Sequence, residues 1–86
     1  MITLELKHIV KLQYNLMDEF AAADTGERTG PYRRAIKHWL NKMTDDEKEQ
    51  AQIEETVRRN MWVKDDYSFR PICDALRKLG YKIKVE

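Results

Sequence analysis

Asp45-Asp46 and Asp65-Asp66 are two pairs of adjacent carboxylates in this 86-residue sequence, which also holds two histidines, His8 and His38, and one cysteine, Cys73. Paired carboxylates can pass protons or hold a divalent cation. An imidazole can act as a base near neutral pH, and a thiolate can attack an electrophile. Each of these chemistries needs its groups to converge, and the sequence offers each group a plainer role. Both Asp pairs stand where a helix is expected to begin, and a carboxylate there accepts from free backbone N–H groups. His8 falls on the polar face of the first expected helix. Cys73 falls on or near an apolar face, which favours a buried, inert thiol. One cysteine and two histidines at unrelated spacings make no structural zinc site. No catalytic constellation, metal or cofactor is therefore expected.

Arg33 and His38 have the Arg-x4-His spacing of HEPN-type ribonucleases. Two common residues at that spacing recur by chance, and those domains are longer. Ribonuclease-like chemistry is thus only the enzymatic alternative to a non-enzymatic reading. The loop TGERTGP, residues 25–31, echoes the linker of zinc-finger arrays without zinc ligands to connect. It also lacks the Gly-Lys-Ser/Thr that closes a Walker loop.

The charge around Arg33 and His38 is more informative than their spacing. Residues 31–43 form a predicted helix with two unlike faces. Tyr32, Ala35, Ile36, Trp39, Leu40 and Met43 share one side, expected to be a central core wall built around Trp39. Arg33, Arg34, Lys37, His38, Asn41 and Lys42 share the other, with no acid among them. Arg28 lies just upstream, in a glycine-containing loop at a helix N-terminus, where free N–H groups attract anions. Several such cations are what phosphate contacts or an acidic protein surface would need. The chain as a whole is only +1. The charge is segregated: residues 1–26 carry net -2, 27–43 net +4, 44–56 net -5 and 57–86 net +4. Oppositely charged elements lying side by side would neutralise each other, so the basic face serves binding only if the acidic segment leaves it open.

The elements that must position these residues follow from periodicity. Residues 6–23 place Leu6, Ile9, Val10, Gln13, Leu16, Met17 and Phe20 on one wide arc, with Leu12, Tyr14 and Ala21 on its flanks, so this helix should pack on two sides. Leu4 would leave that arc, and Ile2, Leu4 and Leu6 alternate as a strand does; the alternative for this segment is an earlier helix start capped by Thr3. Pro31 opens the two-faced helix, where its missing N–H costs nothing. Thr44 with Glu47 has capping-box spacing and predicts the start of a third helix ending near Asn60. Its stripe of Ile53, Val57 and Met61 is thin, which predicts a peripheral position. A fourth helix, capped by Ser68 or a neighbour, should bury Phe69, Ile72, Cys73, Ala75, Leu76 and Leu79 and stop at Gly80. Tyr81, Ile83 and Val85 then alternate as a strand. A lone strand is unstable in water, so residues 81–85 should pair with 2–6 or, failing that, with another chain to make a homodimer.

The fold class is mainly α: about four helices in a compact bundle, with one or two short terminal strands, residues 1–86 forming one domain. With 36% charged residues and a mean hydropathy of -0.76, yet 42% apolar residues, the chain is polar but not disordered in composition. No run of about 18 apolar residues exists, no secretory leader begins the sequence, and one cysteine forms no internal disulfide. A cytoplasmic protein without membrane contact is expected. The functional expectation is a small non-enzymatic interaction protein, a regulator or inhibitor that binds another macromolecule. By size it is like phage or mobile-element regulators. The candidate contact residues are Arg28, Arg33, Arg34, Lys37, His38, Lys42 and Trp62. A protein partner is favoured over nucleic acid. The alternative is a nucleic-acid-binding domain using the basic helix, or a winged-helix-like C-terminal part with Arg70, Arg77 and Lys78 as secondary candidates.

Overall fold

A computed structural model describes residues 2–61 and 69–85. The element order is β1 (Thr3–Glu5), α1 (Leu6–Thr25), α2 (Gly30–Met43), α3 (Glu47–Asn60), α4 (Arg70–Lys78) and β2 (Lys82–Lys84). The mainly-α bundle and both strand segments agree with the sequence reading, although each strand is shorter than the alternation implied. The two strands pair with each other in parallel, Leu4 opposite Ile83. The pairing that would otherwise need a second chain is thus made within this one. Trp62 and Asp65-Asp66, and the expected cap Ser68, lie outside the described residues.

Leu4 explains why the chain does not begin as a helix. In β1 it is fully buried, whereas a helical Leu4 would sit among polar residues. The first helix then buries Ile9, Leu12, Gln13, Leu16 and Ala22. This face is rotated from the expected arc. Leu12, placed on a flank, is at the centre, while Met17 and Tyr14 are 38% and 58% exposed. Packing against α2, α3 and β1 favours the Leu12 side, so the opposite edge is left to solvent.

Two glycines end helices in the same way. At Gly26 (φ 78°) and Gly80 (φ 102°) the chain enters the left-handed region. The residue after each glycine donates back to the carbonyl five positions earlier: Glu27 N–H to Ala22 and Tyr81 N–H to Leu76. This is the Schellman arrangement, and it needs a residue without a Cβ penalty. At Gly80 it also swings the chain so that Tyr81 is buried and β2 reaches β1.

The start of α3 is a correction. Its cap is Asp46, whose carboxylate accepts from the N–H groups of Lys48 at 2.9 Å and Glu49 at 3.3 Å. Thr44 instead terminates α2, and its hydroxyl accepts from the Asp46 N–H at 3.1 Å. A charged carboxylate at the positive end of the helix is the stronger acceptor, so the helix starts two residues later than the Thr44–Glu47 spacing implied. The thin stripe of α3 is as expected: Ile53 and Val57 are fully buried and Met61 nearly so. On α4, Ile72, Cys73 and Leu76 enter the core. Leu79 does not; it is 48% exposed at the helix end. Among the described residues, no helix is long and apolar enough to cross a membrane.

Candidate functional site

Helix α2 presents three strips. Ile36, Leu40 and Met43 are buried and form its share of the core. Either side of them, the polar residues divide according to which neighbour they face.

On one side, Arg33, Lys37 and Asn41 rise in consecutive turns along the border with α3. The Arg33 Nε is 3.5 Å from Glu19 Oε1 on α1. Lys37 lines a groove of about 520 Å³ together with Arg33, Glu47, Glu54 and Arg58, over an apolar floor that includes Ile36, Leu40 and Ala51. Asn41 accepts from the Gln50 Nε2 at 2.6 Å, and the same amide donates to the Thr44 carbonyl at 2.7 Å. This border is where the negative segment meets the positive one. The acids of α3 also serve their own helix, Glu54 pairing with Arg58 at 3.3 Å and Glu55 with Arg59.

On the outer side, Arg34, His38 and Lys42 are exposed, and none of them meets a carboxylate among the described residues. The acidic helix therefore flanks one row of the basic face and leaves the other open. Lys42 does have a partner of another kind. Its ammonium is 5.2 Å from the centre of the Trp39 ring, close enough for attraction to the negative ring face.

Trp39 departs from expectation. It is half-buried rather than central, and sits between two imidazoles. His38 meets it edge-on at 5.4 Å and His8 lies tilted against it at 5.3 Å. His8, read from the helix period as a polar-face histidine that is either solvated or satisfied by a partner, has a side chain only 13% exposed. Nothing local in the sequence signals this contact, because its two members lie on different helices.

Burial pushes the His8 imidazole below its ordinary value. Glu5, 3.4 Å away, pulls the other way, while Lys7 and Lys42 add to the depression. A histidine with a lowered folded pKa binds its proton more readily in the unfolded chain. Its contribution to stability is present above the unfolded value of about 6.5 and is lost as pH falls through the lower folded value. Urea unfolding followed from about pH 7.5 down to pH 5 is expected to show a fall in stability. A His8→Phe variant, which keeps the ring contact without the titration, should show a shallower fall.

The remaining candidates are dispersed. Arg28 is exposed in the α1–α2 loop. Arg70, Arg77 and Lys78 belong to α4, and Arg77 is 3.4 Å from Asp74 on its own helix. β2 follows α4 but pairs in parallel with β1, so it does not fold back as the wing of a winged helix would. Cys73 is buried, and burial pushes its thiol pKa up, with Arg77 opposing and Asp74 reinforcing the shift. The raised value favours the thiol over the thiolate. Asp46 is occupied as a helix cap and Asp45 is exposed beside it. No group of three or more His, Cys, Asp or Glu side chains converges as metal ligands among the described residues.

No protein-family model, no curated protein and no solved structure matches this chain. The functional reading rests on the geometry of α2 and its surroundings.

Proposed function

We propose that this chain is a small interaction protein, a regulator or inhibitor that acts by binding an acidic surface of another protein. The contact is made by the outer row of α2: Arg34, His38 and Lys42, extended by Arg28. One observation carries the reading. The internal acids gather along the Arg33–Lys37 side of the helix, while the outer row stays exposed and has no carboxylate partner among the described residues. Cations held in a fixed row on a rigid helix favour a complementary negative surface and speed encounter with it.

The test is chemical cross-linking in the cell of origin followed by affinity measurement on the purified pair. A stoichiometric protein partner is expected. Its affinity should fall by about tenfold or more in the double variant Arg34→Glu/Lys42→Glu, with circular dichroism showing the fold retained and the urea midpoint only modestly lower, from the lost Lys42–Trp39 contact. Retention of full affinity in that variant would dismiss the outer row as the contact. Binding to a generic DNA duplex or single strand that falls steeply with salt, and is lost in the same variant, would transfer the reading to nucleic acid.

A further inference from the structure

Trp39 belongs to a second surface besides the basic row. A groove of about 470 Å³ runs beside the first turns of α1, walled by Leu6, Val10, Tyr14, Trp39 and Val85, with Lys7 and Lys11 at its rim. It follows the edge of the wide apolar arc of α1 that no described element covers. Tyr14 is 58% exposed and Val85, just past β2, is 67% exposed. Apolar side chains left together in a concave surface have a hydration cost that an occupant would remove.

The chemistry around the groove selects the occupant. Its walls are almost wholly apolar, which suits a bulky hydrophobic side chain and not a free ion. Its volume is within the range of about 300–1,000 Å³ typical of ligand pockets, so it has room for such an anchor. The rim is cationic. Lys11 has no carboxylate partner among the described residues, Lys7 reaches only Glu5 at 3.4 Å, and Lys42 stands over the Trp39 wall. Base stacking is disfavoured because Lys42 covers a face of Trp39 and the two imidazoles flank it. A concave slot also fits a side chain better than the flat surface of a lipid leaflet.

We infer that this groove takes the apolar anchor of an acidic segment in a protein partner, with carboxylates beside the anchor meeting Lys7, Lys11 and Lys42. The inference rests on the reading of the basic row as a protein contact and specifies the partner's chemistry. Trp39 walls the groove and carries the Lys42 ammonium of the basic row 5.2 Å from its ring centre, so one segment can cross from groove to row.

The experiment is selection of a random peptide display library on the full chain, followed by affinity measurement of the enriched peptides. The expected enrichment is Leu, Phe or Trp flanked by Asp and Glu. Affinity should fall about tenfold in Val85→Glu, which places a carboxylate at the groove, and comparably in Lys11→Glu. Both residues are exposed, and circular dichroism checks that each variant is folded. Two control probes are applied in parallel: phosphatidylserine vesicles and an oligothymidine strand. Failure to enrich acidic, apolar peptides overturns the inference. So does enrichment whose affinity is indifferent to Val85→Glu. If that same affinity is lost in Arg34→Glu, the basic-row reading stands while the groove falls; if it is indifferent to both, both fall. Vesicle or oligothymidine binding that Val85→Glu abolishes, without peptide enrichment, assigns the groove to lipid or nucleic acid and overturns the inference.

Discussion

Leu4→Ala is expected to destabilise the fold by about 2–4 kcal/mol, measured by urea unfolding. The side chain is fully buried in β1 and belongs to the same apolar cluster as Ile9, Leu12, Leu76 and Tyr81. Its truncation removes transferred surface and leaves a cavity that the surrounding side chains close only in part. A domain of this size has about 4–13 kcal/mol in total, so the loss is a large fraction. The variant also discriminates between two conformations of the N-terminal segment. Were residues 3–5 the first turn of α1, Leu4 would face water and alanine would be neutral or slightly favourable. A shift below about 0.5 kcal/mol would therefore contradict the strand. Exposed Thr3, on the other face of the same strand, serves as the control position.

The second large effect concerns Gln50. It is only 7% exposed, and its amide ties α2 to α3 through Asn41 and the Thr44 carbonyl. Gln50→Ala is expected to cost about 1–3 kcal/mol, since two acceptors lose their donor and only Asn41, which is exposed, can turn fully to water. Gln50→Glu should cost more than alanine at neutral pH. It keeps the shape but sets a carboxylate, which has no donor, against two acceptors. Acidification should partly restore the Glu variant, because a protonated carboxyl again offers one O–H. Thermal unfolding of the two variants at neutral and mildly acidic pH tests this ordering. Equal behaviour of the Ala and Glu variants at both pH values would exclude the Gln50 bridge.

Different parts of this architecture have different sequence signals. Leu4 was out of phase with the arc beginning at Leu6, which favoured a strand, but a three-residue alternation is too short to exclude a helix capped by Thr3; the pairing with β2 decides it. Gly26 and Gly80 mark their helix ends because the backbone there requires φ above zero. The start of α3 was ambiguous for a local reason. Thr44, Asp45 and Asp46 are all good caps, and the choice depends on which oxygen reaches two N–H groups. Contacts between helices carry no such mark. A helical period says which residues share a face, but not where a neighbour ends. Met17 therefore counted within the apolar arc although it is exposed, Leu12 was left to a flank although it is fully buried, and Trp39 was assigned to the interior although it borders a surface groove. The same limit applies to the basic face. Helical spacing alone sorts the six polar residues of α2 into the rows Arg33–Lys37–Asn41 and Arg34–His38–Lys42, but which row α3 flanks depends on how the two helices pack. His8 lacked any signal, because the ring that buries it comes from a different helix.

The parallel pairing of β1 with β2 has a consequence for how the chain is made. The strands are separated by all four helices, so their ladder closes a loop of nearly the whole described length, at an entropic cost that no local contact repays. During synthesis β1 emerges before every helix and β2 after them all. Leu4 has no strand partner for that entire interval, and the sheet can join only as a late event in folding. The ladder is thus a latch between the two ends of the described chain, and it closes over the same core that Leu4 helps to fill.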